Sequence, residues 1–277
     1  MKNTIESVLN ESVTGTVSGT GRIVTESGRE YFLKSGAPGR AYRCEANGLQ
    51  ELKRAEAVRT PRIIAVGEDY LLTEYIAPGS RPAGFFAGFG RKLAQLHRFR
   101  ATQYGFYENN FIGATPQMNI PSEAEKTAWP VFFLAKRLLP QYELAVRNGF
   151  VTPALEARFR RLETMVGEIL GDSDEPPVLL HGDLWAGNFL CDGRGEPVLI
   201  DPAVYYGHRE ADLAMTRLFG GFPSEFYEAY ERHYPLAEGW QYREKLYRLY
   251  HVLNHLNLFG TGYLSEAVSL IDYYAKG

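Results

Sequence analysis

Two short stretches of this sequence contain the residue types that phosphoryl transfer needs. Asp183 and Asn188 lie five residues apart, and Asp201 follows at the end of an apolar run. In a loop of the form H-x-D-x-x-x-x-N, the aspartate can orient a hydroxyl group and accept its proton, whereas the asparagine and a later aspartate can hold Mg²⁺ through hard oxygen ligands. The spacing therefore predicts a small-molecule kinase that uses ATP and Mg²⁺, with Asp183 as catalytic base and Asn188 and Asp201 as metal ligands.

Each of these residues has an ordinary structural explanation when it is taken alone. His181 could be a core histidine, Asp183 could cap a turn, and Asn188 could occupy a left-handed loop position. The spacing of Asp183 and Asn188, with Asp201 on a returning strand, favours the kinase interpretation over coincidence. A metallohydrolase that uses His181 and Asp183 ranks low, because no second histidine lies at metal-ligand spacing from them.

Short apolar runs hold these residues, at Val178–Leu180, Phe189–Cys191 and 198–200. A tight turn with two glycines, at 192–195, separates the last two runs. We therefore predict a β-hairpin that holds the 181–188 loop and carries a carboxylate at each end.

The N-terminal part of the chain is predicted to be rich in strands. Candidate strands at 13–17, 22–25 and 30–34 surround Gly19 and Gly21. Backbone N–H groups at such a turn can approach nucleotide phosphates, because glycine has no side chain. The G-x-G spacing lacks the third glycine of the longer pattern, so a plain hairpin turn is an equal alternative.

Lys34 ends the third strand and precedes a predicted helix at 40–56. A strand lysine paired with a helix glutamate would hold the nucleotide phosphates, whereas a lysine alone is usually a solvated charge. Glu45, Glu51 and Glu56 all have suitable spacing. Glu45 is preferred because it lies in the first half of the helix.

Two further strands, at 61–66 and 70–74, precede a Pro-Gly break at 77–79. An apolar strand that ends in such a break suits a hinge between two lobes. The hinge residues that would hydrogen-bond adenine are Glu74, Tyr75 and Ile76. A plain edge strand that runs into a loop is the alternative.

The pattern after residue 76 becomes mostly helical. Apolar residues recur at helical spacing in the segments 85–96, 129–148, 152–171, 213–219, 224–233, 242–259 and 264–274. A long polar segment, 102–119, is predicted to be a loop on the substrate side, with a solvated connector as the alternative. We divide the chain into a nucleotide-binding lobe at 1–76 and a catalytic and substrate lobe at 77–277, an α+β plan with a cleft between the lobes.

The composition is that of an ordinary globular protein. The chain has 277 residues, of which 45% are hydrophobic and 23% charged, and its formal net charge is −3. This charge gives no basic field for nucleic acid or for an anionic membrane, and no apolar run is long enough to span a bilayer. The N-terminus lacks the apolar core of a signal peptide, and Cys44 and Cys191 are expected to be reduced. We expect a cytoplasmic, monomeric protein.

The 181–188 loop resembles the HGDLW-x-GN motif of the fructosamine kinase (ketosamine-3-kinase) family. That family belongs to the aminoglycoside-phosphotransferase-like, protein-kinase-like superfamily. The resemblance extends over most of the chain, through 111–119, an aromatic helix at 129–138 and the run 200–215. The Trp185 loop and the Asp-Pro-Ala-x-Tyr-Tyr-Gly run distinguish this family from general aminoglycoside or choline kinases.

The resemblance implies an α+β, protein-kinase-like fold of two lobes. The N-terminal lobe would be an antiparallel sheet with one helix, and the larger C-terminal lobe would be mostly helical. The resemblance also implies ATP-dependent phosphorylation of the O3 hydroxyl of ketosamines, the sugar adducts on free amines or protein side chains, as a deglycation activity. It implies that Lys34 pairs with Glu45 and that Trp185 and His181 lie on the substrate side. Many relatives carry a cysteine in the Gly-rich loop, and because this sequence has none there, a redox-switched dimer is not expected.

Two other functions stay open at the level of the sequence. A kinase for another small alcohol, such as an aminoglycoside or a choline-like compound, would use the same catalytic residues. A non-catalytic nucleotide-binding module is disfavoured because Lys34, Asp183, Asn188 and Asp201 are all present. No residue decides which sugar or which amine is preferred.

Overall fold

The N-terminal part of the protein is built on a five-stranded antiparallel sheet. The computed structural model describes residues 1–15, 17, 19–36, 39–171 and 175–275. The sheet has the strand order β1-β2-β3-β5-β4, and each pairing is antiparallel. The strands are β1 (Val13–Thr14), β2 (Gly21–Thr25), β3 (Glu30–Ser35), β4 (Ile63–Val66) and β5 (Tyr70–Glu74). The predicted sheet is confirmed, although β1 is shorter than the predicted strand at 13–17, in which Thr16 lies outside the described residues.

Two helices accompany this sheet, where the sequence predicted one. The predicted helix is α2 (Ala41–Arg54). The additional helix, α1 (Lys2–Leu9), buries Ile5 completely in the same apolar cluster as Leu33 and Leu72. Ile5, Val8 and Leu9 recur at helical spacing in α1, but the segment has only eight residues, too few for the pattern to establish a helix by itself.

Helix α2 packs against the strand next to β3. Tyr42 and Leu49 of α2 form an apolar cluster with Leu71 of β5, and Lys34 of β3 lies directly opposite Leu71 in the strand register. Paired residues of neighbouring strands project to the same face of a sheet. The packing therefore directs Lys34 towards α2.

A short segment leads from β5 to the first helix of the C-terminal part, α3 (Phe85–Leu96). Gly79 in this segment donates its N–H to the carbonyl oxygen of Cys191 at 2.8 Å. A Cβ atom on Gly79 would lie 2.0 Å from the carbonyl oxygen of Asp192, so only glycine fits this close approach. The predicted lobe boundary at residues 76 and 77 falls within this connection and stays a prediction.

The C-terminal part is mostly helical and packs around one large apolar core, in which Phe89, Phe132 and Phe159 are fully buried. None of the described helices is long and apolar enough to cross a membrane. The remaining helices are α4 (Glu123–Thr127), α5 (Trp129–Phe133), α6 (Leu139–Arg147), α7 (Pro153–Gly171), α8 (Glu210–Thr216), α9 (Ser224–His233), α10 (Trp240–Phe259) and α11 (Leu264–Ala275).

The helix predicted at 129–148 is interrupted by a π-helical turn, Leu134–Leu138, between α5 and α6. The N–H of Leu139 bonds to the carbonyl of Leu134, five residues back. Pro140 has no N–H to continue the regular ladder, so the backbone re-registers just before it. The sequence predicted an irregularity at Pro140, but it did not predict the π-helical turn before it.

Three two-stranded sheets are embedded among these helices: β6 (Asn110–Ile112) with β7 (Thr115–Gln117), β8 (Val178–Leu180) with β11 (Tyr205–Gly207), and β9 (Phe189–Cys191) with β10 (Pro197–Leu199). The predicted hairpin is the β9–β10 pair. The first apolar run, β8, pairs instead with β11, which was not predicted. The segment 102–119 contains the β6–β7 hairpin, so its prediction as a structureless loop is wrong. The 181–188 loop thus runs between two small sheets.

Candidate active site

The 181–188 loop connects β8 to β9 and is held by a carboxylate from α8. Asp212 is buried and accepts hydrogen bonds from the backbone N–H groups of His181 (2.7 Å) and Gly182 (2.8 Å). Gly182 has a φ of 83°, and a Cβ atom there would lie 2.0 Å from the carbonyl oxygen of Ala203. This position therefore requires glycine, and the backbone that leads into Asp183 is fixed from both sides.

Asn188 fixes the side chain of Asp183. Its Nδ2 donates to the carbonyl oxygen of Asp183 at 2.7 Å and to the carboxyl Oδ2 of Asp183 at 3.0 Å. Burial is the main cause that raises the pKa of Asp183 to about 7. The carboxylates of Asp201 and Asp212 act in the same direction, and the hydrogen bond from Asn188 acts against them. A carboxyl group with this pKa can accept a proton near neutral pH.

Lys34 lies between two carboxylates. Its Nζ is 2.8 Å from Oε1 of Glu45 and 2.5 Å from Oδ1 of Asp201. Burial alone would lower the pKa of Lys34, but the two carboxylates raise it above its ordinary value, so the side chain is an ammonium group. Among the candidate glutamates, Glu45 is thus the partner, whereas Glu51 pairs with Arg54.

Asp201 follows β10 in a left-handed backbone conformation, with a φ of 55°. A residue with a side chain seldom adopts this conformation, so the surrounding structure must hold it. The N–H of Ile200 donates to the carbonyl of Asn188 at 3.1 Å, and the N–H of Ala203 donates to the carbonyl of His181 at 2.9 Å. These bonds on both sides hold the Asp201 carboxylate, which is 44% exposed, at the edge of the cleft.

Two cavities meet at this ion-pair cluster. The first has a volume of about 350 Å³ and is lined by Asp183, Trp185 and Asn188 among others. The second, of about 250 Å³, has mostly apolar walls that include Leu49, Leu71, Tyr75, Ile76, Leu190 and Ile200. The residues that line both cavities are Lys34, Glu45 and Asp201. The arrangement therefore provides one apolar and one polar compartment with charged groups at their junction.

The structure brings the three predicted hinge residues to the second cavity. The carboxylate of Glu74 pairs with Arg59. The backbone N–H of Glu74 donates to the carbonyl oxygen of Arg62 at 2.8 Å. Because this N–H is already engaged in the sheet, Glu74 could contribute only its carbonyl oxygen to adenine recognition, beside the backbone groups of Tyr75 and Ile76. That role stays a prediction.

The predicted glycine turn lies apart from both cavities. The carbonyl of Gly19 accepts a hydrogen bond from Oγ of Ser35 at 2.8 Å, and Gly21 begins β2. Neither glycine lines a cavity, and Ser18, between Val17 and Gly19, lies outside the described residues. Phosphate binding by this turn stays a prediction.

His181 is fully buried beneath the loop. Its Nε2 lies 2.9 Å from the carbonyl oxygen of Ile200, and its Nδ1 accepts the N–H of Asp183 at 3.3 Å. Burial lowers the pKa of His181, which keeps the ring neutral and suits one donated and one accepted bond. The prediction that His181 lies on the substrate side does not agree with this burial. Its ring instead joins the backbone before Asp201 to the backbone of Asp183.

The contribution of α10 to the first cavity was not predicted. The lining residues from this helix are Asn254, His255, Leu258 and Phe259. The apolar periodicity of α10 is typical of a core helix. The same periodicity continues into the last turns of the helix, so nothing in it indicates that these turns line the cavity. The available signal was the pair His255 and Phe259, which share one face at a spacing of four residues.

A buried glutamate outside the cavities anchors α2 and was also missed. Glu108 accepts hydrogen bonds from Asn47 (2.7 Å) and Arg40 (3.0 Å), and the thiol of Cys44 lies 3.8 Å from the same carboxylate. Cys44 and Asn47 lie three residues apart on one face of α2, and Arg40 is the residue just before the helix. Cys44 and Cys191 are both free and buried, as expected for reduced thiols.

The fold and the site together define a phosphotransferase of the protein-kinase-like type. An antiparallel sheet supplies a lysine that pairs with a helix glutamate, and a loop from the helical part supplies an aspartate and an asparagine at fixed spacing. Asp201, at the end of the next hairpin, pairs with the same lysine and so links the sheet to the helical part. This constellation is the one that phosphoryl transfer in kinases requires.

The chain belongs to the fructosamine kinase family, whose family model matches residues 1–276. A probable ketoamine kinase from Synechocystis sp. is 39% identical over 269 residues, which cover 94% of this chain and 88% of that protein. A chloroplastic protein-ribulosamine 3-kinase from Arabidopsis thaliana is 41% identical over 240 residues, which cover 84% of this chain and 71% of that protein. The crystal structure of a candidate fructosamine-3-kinase from Thermobifida fusca is 30% identical, with a TM-score of 0.89, and covers 100% of this chain and 99% of its own. The predicted family and fold are confirmed.

Proposed function

We propose that this protein is an ATP-dependent ketosamine kinase that phosphorylates the O3 hydroxyl group of sugar adducts on amines. The observation that carries the proposal is the first cavity, where the carboxyl group of Asp183, with a pKa of about 7, shares the walls with Lys34, Asp201 and the ring of Trp185. The names of the relatives support ketoamines as the acceptor class.

The second cavity suits the nucleotide. Adenine is flat and needs apolar walls with a few hydrogen-bonding groups, which the segment of Tyr75 and Ile76 and the apolar side chains of Leu71 and Leu190 supply. The ammonium group of Lys34 lies at the junction of the two cavities and would balance the charge of the phosphates.

The residues at the junction also fit Mg²⁺. The side-chain oxygen of Asn188 and the carboxylate of Asp201 are hard donors of the kind that Mg²⁺ prefers, and two protein ligands leave room for waters and nucleotide oxygens. Asp201 lines both cavities and is partly exposed. When bound, Mg²⁺ would neutralise charge on the transferring phosphoryl group.

Asp183 acts as the general base of the reaction. Its carboxylate orients the O3 hydroxyl and accepts the proton while the hydroxyl oxygen forms a bond to the γ-phosphorus. The bond from the γ-phosphorus to the bridging oxygen breaks, and that oxygen leaves with ADP. The hydrogen bond from Asn188 holds the Asp183 carboxylate in one orientation. A 3-phosphorylated ketosamine then decomposes and releases the amine, so the activity is a deglycation.

The experiment is an ADP-release assay with Mg²⁺ across ribulosyl-amines, fructosyl-amines, aminoglycosides and choline. We expect turnover with ketosamines and a loss of about 10³-fold or more in kcat for Asp183→Asn, because the substitution removes the base. Turnover confined to aminoglycosides or choline contradicts the proposed acceptor. No Mg²⁺-dependent ADP release with any acceptor contradicts the kinase activity itself and favours a binding module.

A further inference from the structure

Aromatic side chains surround the mouth of the first cavity. Trp185, His255 and Phe259 line the cavity. Phe219, from the turn after α8, lies 5.8 Å from Trp185 and 4.8 Å from His255 between ring centroids, and Tyr263 lies 5.2 Å from His255. We call these five residues the aromatic rim. They come from the 181–188 loop, the turn after α8, the end of α10 and the 3₁₀ turn that follows it (Thr261–Tyr263), so one surface joins four segments.

Two rings of the aromatic rim expose a large fraction of their apolar area to solvent. Phe259 is 68% exposed and Phe219 is 46% exposed. Contiguous exposed apolar side chains at the edge of a cavity are typical of a ligand-binding surface, since water contact with such rings is unfavourable. The rim continues directly from the cavity that contains Asp183.

The backbone at Phe219 is held in an unfavourable conformation that turns its ring onto the rim. Phe219 has a φ of 54°, and Gly220 and Gly221 follow with φ values of 91° and 72°. A bulky residue rarely adopts a left-handed conformation, and such strain persists where the surrounding structure enforces it. Hydrogen bonds from the N–H of Gly221 to Leu218 (3.1 Å) and from the N–H of Phe222 to Thr216 (3.2 Å) close this turn.

The aromatic rim carries no formal charge near neutral pH. Burial lowers the pKa of His255, and its Nδ1–H donates to the carbonyl oxygen of His251 at 2.8 Å. The other four rim side chains are phenylalanine, tyrosine and tryptophan rings. Such a surface favours apolar groups and, through the ring faces, a neighbouring cation.

The chemistry of a ketosamine indicates which part of the acceptor would reach this surface. The reacting oxygen is on C3 and the amine nitrogen is on C1, so only two carbon–carbon bonds separate the two centres. When O3 is at Asp183, the nitrogen lies inside or just outside the same cavity, and the substituent on the nitrogen must leave through the mouth. A secondary ammonium group with a carbon chain combines a cation with apolar area.

We propose that the aromatic rim is a subsite for the amine-derived part of the acceptor and that it selects amines with an apolar, aromatic or long aliphatic substituent. This inference rests on the proposed ketosamine kinase function and adds the class of amine to it. The aliphatic stem of a lysine side chain belongs to this class.

The test uses two series of ketosamines, one ribulosyl and one fructosyl. Within each series the sugar and the charge are the same, and the amine is methylamine, hexylamine or benzylamine. We expect KM to fall roughly tenfold from the methylamine adduct to the benzylamine adduct, with kcat nearly unchanged, because rim contacts bind ground state and transition state alike. Phe259→Ala should abolish most of this difference. Tyr273→Ala is the matched control, since Tyr273 is another exposed aromatic residue (48%) and lies on α11 away from the cavity lining.

A second variant tests the ring on the strained turn. Phe219→Asn removes the ring and keeps a residue that tolerates the left-handed backbone, so it should also reduce the preference without unfolding the protein. Equal KM values across the three amines in the wild type, or a preference that survives both Phe259→Ala and Phe219→Asn, overturns the inference while the kinase function stands. A wild type that phosphorylates none of these ketosamines overturns the proposed function and this inference with it.

Discussion

The side-chain amide of Asn47 and the buried carboxylate of Glu108 form a 2.7 Å hydrogen bond that joins α2 to the segment before β6. Glu108 also accepts a hydrogen bond from Arg40. Helix α2 carries Glu45, which pairs with Lys34. The geometry of the lysine pair therefore depends on a contact with the C-terminal part of the protein that lies outside the site.

We expect Glu108→Ala to raise the KM for ATP several-fold and to lower kcat, because α2 loses its anchor and Glu45 can shift away from Lys34. The loss of a buried hydrogen-bonded carboxylate should also cost about 1–3 kcal/mol of unfolding free energy. Steady-state kinetics with varied ATP and urea unfolding measure the two effects. Arg40→Ala is the control, because the Arg40 side chain is 71% exposed and exposed ion pairs contribute little. Wild-type kinetics and stability in Glu108→Ala would show that α2 does not depend on this anchor.

The activity should depend on pH through the ionisation of Asp183. Since the pKa of Asp183 is raised to about 7, the free enzyme holds most of this group protonated below pH 7, where it cannot accept the hydroxyl proton. We expect kcat/KM to rise about tenfold per pH unit between pH 5 and 6.5 and to level off above about pH 7.5. A profile that is flat from pH 5 to 9 would exclude Asp183 as the titrating base.

The free energy of unfolding should also depend on the ionisation of Asp183, but it should fall with rising pH whereas the activity rises. The pKa of Asp183 is higher in the folded protein than its ordinary value of 3.8, so the folded state binds the proton more tightly and stability falls as pH rises from about 4 to about 7. We therefore expect Asp183→Asn to be more stable than the wild type at pH 8, by about 1–3 kcal/mol of unfolding free energy after allowance for solvent screening. The variant should accordingly unfold at a higher temperature. At pH 4 the two proteins should unfold at nearly the same temperature. Equal unfolding temperatures at pH 8 would contradict the raised pKa.

The close approach at Gly79 gives a prediction about the connection between the lobes. Gly79→Ala would drive a methyl group into the carbonyl of Asp192 and should destabilise the protein by about 1–3 kcal/mol. Gly88→Ala is the matched control, because this glycine lies in α3 with open space around the added carbon, and alanine is favoured over glycine in a helix by up to about 1 kcal/mol. Urea unfolding of both variants distinguishes them, and equal stabilities would contradict the close contact.

The residues to which we assign the chemistry could be predicted from the sequence because their relationships are local. Asp183 and Asn188 belong to one loop, and Asp201 ends the next hairpin, so spacing and apolar runs were sufficient. The pairing of Lys34 with Glu45 was also predictable, since a strand and the following helix pack together. His181 was misplaced because a motif gives the order of residues but not which side chains face inwards.

The remaining parts of the site depend on long-range packing that no local pattern contains. Strand β8 pairs with β11, whose partner residues lie 25 to 29 positions later in the chain, and Asp212 reaches the loop from a helix beyond that strand. The end of α10 has the apolar period of a core helix, and the spacing of His255 and Phe259 places them on one face without showing that this face reaches the cleft. Such features follow from the tertiary arrangement of the elements, including short strands such as β11 that the sequence did not reveal.

The most direct test of the central proposal is the position of the phosphoryl group in the product. The enzyme, ATP and Mg²⁺ are incubated with a ribulosyl-amine and with a fructosyl-amine, and the product is examined by phosphorus–proton correlation NMR. Coupling of the new phosphorus signal to the proton on C3 is the predicted result, and it should be lost in Asp183→Asn. Phosphorus coupled to a proton at any other sugar position, or ADP formed with neither a phosphorylated ketosamine nor released amine, would contradict the proposal.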